Sequence, residues 1–187
     1  MFGGTFDPIH LGHLRAAECA RESLGLTRVL FLPAGQPPHR ARALAAAFDR
    51  YAMVSLATAH NAFFAPSPLE LGREGPSYTV DTLRALRAGS PRAEIFLVLG
   101  SDAFAEIGTW HAAAEVAAAA TLVVIERPGP EAPPPQLPEQ ARVVRVAAPG
   151  LLVSSSEVRR LRGEGKSVRY LVPEPVADYI DKRELYR

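Results

Sequence analysis

Gly3-Gly4-Thr5-Phe6-Asp7-Pro8-Ile9-His10-Leu11-Gly12-His13 joins a glycine pair to two histidines at the start of a helix. Glycine permits φ above zero and close approach of the backbone to a ligand. The first turn of a helix carries free amides and the positive end of its dipole, so the junction reads as a seat for an anion and suits a polyphosphate. His10 and His13, three residues apart, share one side of that turn. Each can donate a ring N–H to a phosphate oxygen, and protonation adds charge. Gly12 costs a helix roughly 1 kcal/mol against Ala, an expense that close approach of a ligand would explain. The same two histidines could ligate a metal, but no Cys or acidic residue stands beside them at zinc-like spacing.

Outward from this segment, short β-rich runs alternate with helical ones, the pattern of a doubly wound parallel sheet with helices on both faces, a Rossmann-like α/β fold. Helices are expected over 11–24, stopped by Gly25, over 48–60, over 78–88 with Ser77 as cap, over 103–119 with a break near Gly108, from Ser154 to Leu161, and over 173–183. Strands are expected over 28–32, 63–65, 94–99, 121–125 and 142–146. Residues 127–138 are dense in Pro and read as a loop. Only Met1 and Phe2 precede the glycine pair, where a central strand belongs, so the first strand reads as truncated, and the natural start is expected a few residues upstream.

The 187 residues predict a single domain over 1–187, and 48% hydrophobic content is enough to bury a core. No apolar run approaches a membrane span, and no leader pattern opens the chain, so no membrane partner is expected. A net charge of +1 without a basic stripe argues against nucleic acid. The single Cys19 excludes an internal disulfide and reads as a packing residue.

In open α/β sheets ligands lie beyond the carboxyl ends of the strands, and the remaining unusual clusters follow predicted strands. Pro37-Pro38-His39-Arg40 follows the second. Gly100-Ser101-Asp102 ends the fourth, where a carboxylate can accept from ribose hydroxyls, with Trp110 and His111 shortly after. Arg127-Pro128-Gly129 follows the fifth. Pro76-Ser77-Tyr78-Thr79 and Val153-Ser154-Ser155-Ser156-Glu157-Val158-Arg159 both open helices, the second adding three hydroxyls and an arginine about one turn in.

Together these motifs resemble the bacterial nicotinate-nucleotide adenylyltransferases of the HxGH nucleotidyltransferase superfamily, over essentially the whole chain to Val172-Pro173-Glu174-Pro175. Arg40 stands where the family has Lys, keeping the charge and adding a planar fork, and Ser156 replaces Thr. The resemblance implies transfer of AMP from ATP to nicotinic acid mononucleotide in a cytoplasmic enzyme of NAD biosynthesis. It implies ATP binding by Gly3, Gly4, Thr5, Phe6, His10, His13, Arg40, Gly100, Asp102, Ser154, Ser155, Ser156 and Arg159. Of these, His10, His13 and Arg159 are the catalytic candidates. Tyr78, Thr79, Trp110, His111 and Arg127 are implied for the acceptor, with Trp110 as the surface on which the pyridine ring stacks. Mg²⁺ is expected to arrive on ATP, with no metal held by the protein. A superfamily member acting on nicotinamide mononucleotide or phosphopantetheine, and a non-catalytic nucleotide sensor, are the alternatives.

Overall fold

Apolar runs become strands and amphipathic runs become helices, alternating as far as β4: β1 (Phe2–Gly4), α1 (Leu11–Leu24), β2 (Val29–Pro33), α2 (Ala47–Thr58), β3 (Phe64–Pro66), α3 (Thr79–Gly89), β4 (Phe96–Gly100), α4 (Ser101–Glu106), α5 (Ala113–Ala119), β5 (Thr121–Glu126), β6 (Val143–Ala147), α6 (Ser155–Gly163) and α7 (Glu174–Lys182). A single 3₁₀ turn, Ile107–Thr109, separates α4 from α5. The structure, a computed structural model, describes residues 1–38, 43–126 and 135–187. Arg40 and Arg127 lie outside the described residues, as does most of the Pro-rich loop.

The six strands are all parallel, in the order β3-β2-β1-β4-β5-β6. Period-two alternation assigns side chains to the two faces. In β4 and β5, Leu97, Leu99, Leu122 and Val124 pack under α3, α4 and α5, while Val98, Val123 and Ile125 pack with α1, α2, α6 and α7. Strands buried on both faces need continuous apolar sequence, which is why β5 reads Thr-Leu-Val-Val-Ile without alternation. Cys19 is 5% exposed within the first of these cores.

β1 is three residues long and still occupies the centre, with Phe2 opposite Phe31 of β2 on one side and Val98 of β4 on the other. The chain leaves β1 toward β2 and β3, then crosses to β4, β5 and β6. The strand order therefore switches at the β1–β4 pair, where parallel sheets open a crevice beyond their carboxyl ends. Among the described residues no helix is long and apolar enough to cross a membrane.

Three local expectations are corrected. Gly3 and Gly4 adopt no positive φ; they belong to β1, and the left-handed residue is Phe6, at φ 49°. A Cβ on Gly4 would stand 3.2 Å from the Phe6 ring, so that glycine makes room for the loop's own aromatic side chain. Gly12 likewise serves packing: a Cβ there would meet the His10 ring at 3.0 Å and Val153 Cγ1 at 3.1 Å. Ser77 does not cap α3, whose N-cap is Tyr78 with no side-chain cap. Its hydroxyl accepts instead from the amides of Gly35 and Gln36, at 3.0 and 3.3 Å.

Candidate active site

A cavity of about 310 Å³ opens at the β1–β4 switch. One wall is Gly3, Gly4, Thr5 and Phe6 with His13 at the start of α1. Opposite stand Tyr78 and Thr79 at the start of α3, and Gly100, Asp102, Trp110 and His111 after β4. Eleven of the expected site residues, scattered from position 3 to 111, thus share one cleft. Pro37, Pro38, Glu70, Ser77 and Glu106 line it too, although the sequence reading assigned them no contact with a ligand.

His13 and His10 do not play equal parts in this geometry. His10 is 3% exposed and its ring stacks on that of His13 with centroids 3.6 Å apart. The His10 backbone N–H donates to Nδ1 of His13 at 3.2 Å. A ring nitrogen that accepts carries no proton in the neutral tautomer, so the donor of His13 is Nε2–H. Phe6 meets the His13 ring edge-on at 5.1 Å, which fixes the plane of the imidazole.

The amino end of α6 is docked against the same loop. Ser154 caps the helix, its hydroxyl accepting from the Glu157 amide at 3.1 Å. Ser155 Oγ donates to the Pro8 carbonyl at 2.9 Å, and Arg159 Nη1 donates to the Asp7 carbonyl at 2.7 Å. Arg159 Nη2 reaches Ser156 Oγ at 3.3 Å. Residues about 150 positions apart in sequence are therefore joined at the signature loop, and a guanidinium has further donors with which to meet an anion.

A buried polar hub stands behind that loop. Arg50 is 1% exposed and donates to the carbonyls of Thr5 (2.7 Å), Gly35 (3.1 Å) and Ala45 (3.3 Å), tying the loop after β1 to the loop after β2. Asp7 accepts from the amides of Leu44 and Ala45 and from the Tyr186 hydroxyl at 2.7 Å. Burial and the adjacent Asp7 carboxylate push the Tyr186 phenol up, which keeps it a proton donor to Asp7. Burial pulls the Arg50 guanidinium down, and Asp7 opposes that shift.

Residues 1–161 match the model of the cytidylyltransferase-like family. The chain is 49% identical over 190 residues to a probable nicotinate-nucleotide adenylyltransferase of Thermus thermophilus, covering 100% of this chain and 98% of that protein. It is 46% identical to the probable enzyme of the same name from Streptomyces coelicolor, covering 99% of this chain and 98% of that one. This chain belongs to the nicotinate-nucleotide adenylyltransferase family. In fold it is similar to Plasmodium falciparum nicotinic acid mononucleotide adenylyltransferase complexed with NaAD, with a TM-score of 0.81 at 19% identity over 99% of this chain and 95% of that one.

Arg50 could have been found: Arg50, Met53, Val54 and Thr58 repeat at the spacing of one helix face, and all are buried. An arginine on an apolar stripe must find acceptors. No such signal marks Tyr186 or Glu70, whose partners, Asp7 and Thr82, are brought to them from other segments by folding. On the far wall, Tyr78 and His111 stack with centroids 4.3 Å apart, beside the half-buried Trp110.

Proposed function

We propose that this chain transfers the adenylyl group of ATP to nicotinic acid mononucleotide, producing nicotinate adenine dinucleotide and pyrophosphate. The observation that carries the reading is the single cleft shared by the histidine-bearing loop and the Tyr78–Thr79 and Trp110 wall. The first suits a polyphosphate and the second suits a flat, anionic ring. An oxygen of the mononucleotide 5′-phosphate, already ionised at neutral pH, attacks the α-phosphorus of ATP. The bond from that phosphorus to the α,β-bridging oxygen breaks, and pyrophosphate leaves with the electron pair. No enzyme nucleophile is needed, so the work of the residues is in-line alignment and stabilisation of charge.

In this reading His13 Nε2–H and Arg159 meet the charge that develops on the α-phosphate and the leaving pyrophosphate. His10 orients His13. The backbone of Gly3 to Phe6 approaches the phosphates, Ser154, Ser155 and Ser156 extend the grip, and Gly100 and Asp102 hold the ribose. Arg40 and Arg127 are assigned a phosphate and an acceptor contact. Tyr78, Thr79, Trp110 and His111 take the pyridine ring and its carboxylate. Among the described residues no cluster of three His, Cys, Asp or Glu side chains forms, and ATP is the carrier of Mg²⁺, an ion that binds mainly through phosphates and water. The test is pyrophosphate release with MgATP plus nicotinic acid mononucleotide, nicotinamide mononucleotide or phosphopantetheine. Fastest turnover with the first is expected; preference for either other acceptor overturns the assignment.

A further inference from the structure

Glu70 is a buried carboxylate in the wall of a cleft built for anions, 5% exposed and outside every motif of the sequence. Such a charge is held only where hydrogen bonds compensate its desolvation. Its Oε1 accepts from the Thr82 hydroxyl at 2.7 Å, and Arg73 Nη1 donates to the same hydroxyl oxygen at 3.0 Å. Burial pushes the Glu70 carboxyl up, and the neighbouring Thr82 and Ser77 hydroxyls oppose that shift. Ser77 Oγ in turn accepts from the amides of Gly35 and Gln36, and the Ser77 amide donates to the Gln36 carbonyl at 2.8 Å. The loop after β2 crosses residue 70 so closely that a Cβ on Gly35 would stand within van der Waals overlap of the Glu70 carbonyl.

These contacts form one path from Glu70 to the loop bearing Pro37 and Pro38, and another to the start of α3 bearing Tyr78 and Thr79. Both segments line the cleft, and the start of α3 carries the residues assigned above to the acceptor. We infer that Glu70 is the positioning residue of the acceptor half of the site: its carboxylate orients Ser77 and Thr82 and thereby sets the gap between the 35–38 loop and the start of α3. The inference rests on the adenylyltransferase reading and assigns Glu70 no contact with the reacting atoms. Gln in its place offers one acceptor oxygen where Glu offers two, and its N–H groups face a hydroxyl that already accepts two amides.

The test uses Glu70→Gln in the full chain, with steady-state kinetics for both substrates and titration of Trp110 fluorescence, the chain having a single Trp. The expected result is a rise of about tenfold in the mononucleotide KM and Kd, the size of one hydrogen bond to a charged group, with the ATP KM within about twofold. Ser77→Ala should give the same split, and the double variant should lose little more than either single one, because the two residues act along one path. A mononucleotide Kd within about twofold of the parent, or a parallel rise in both KM values, overturns the inference. If Glu70→Gln does not fold by circular dichroism, Ser77→Ala and Thr82→Val decide it by the same split. Failure of the unsubstituted chain to bind the mononucleotide or to release pyrophosphate would instead refute the proposed function.

Discussion

The helix starts at α6 and α3 read alike in the sequence, each a serine followed by hydroxyl-bearing residues, and they are wired differently. At α6 Ser154 caps its own helix, and Ser155 and Arg159 reach back to the Pro8 and Asp7 carbonyls. At α3 Ser77 leaves its helix uncapped and holds the Gly35 and Gln36 amides of another loop. The first arrangement ties the start of α6 to the signature loop through local capping plus two long-range bonds. The second turns a side chain that could cap into a strut between the loop after β2 and the start of α3. A serine at a helix start therefore reports that amides need an acceptor, without telling which amides.

If the two sides divide the work in this way, substitutions on the phosphate side change kcat and those on the acceptor side change KM. The largest effect on turnover is expected for His13→Ala, a loss of about 10² to 10³ in kcat from removal of a transition-state donor, with little change in melting temperature. Near-normal turnover in a stopped assay would remove His13 from the mechanism. Arg50→Met follows, costing roughly 3 to 5 kcal/mol of unfolding free energy in urea, because Asp7 stays buried without its opposing charge and three carbonyls lose their donor. A change under about 1 kcal/mol would show that the hub is not structural. Trp110→Ala should raise the mononucleotide KM by roughly tenfold and the ATP KM much less, the pattern of lost ring stacking; equal rises would place Trp110 elsewhere. The smallest contrast is between the serines themselves. Ser77→Ala strands two amides and should cost about 1 to 3 kcal/mol, whereas Ser154→Ala removes an exposed cap and should cost about 1. Equal losses in paired denaturation curves would mean that the two helix starts are equivalent after all.

Much of the architecture was legible in the residues. Both ends of α1 fall where the sequence places them, Leu11 to Leu24, with Gly25 stopping the helix in the left-handed region at φ 61°. The five other strands lie within two residues of their expected limits, because runs buried on both faces carry an unmistakable apolar signature. The break expected near Gly108 is the 3₁₀ turn Ile107–Thr109. Less legible was what else the glycines accommodate: Gly4 and Gly12, read for close approach of a ligand, each also make room for a neighbouring side chain of the protein. A missing Cβ states that space is needed and leaves its occupant open.

Local order along the chain was enough for the elements, the parallel sheet and the family, since periodicity, caps and motif spacing are properties of neighbouring residues. Folding was needed to divide the histidines, leaving His13 on the cleft and His10 stacked beneath it, and to bring Arg50, Glu70 and Tyr186 into the site's support. The reason is physical: a buried polar group is answered by whichever donor or acceptor the packed chain carries to it, and for Asp7 and Tyr186 that partner stands 179 residues away.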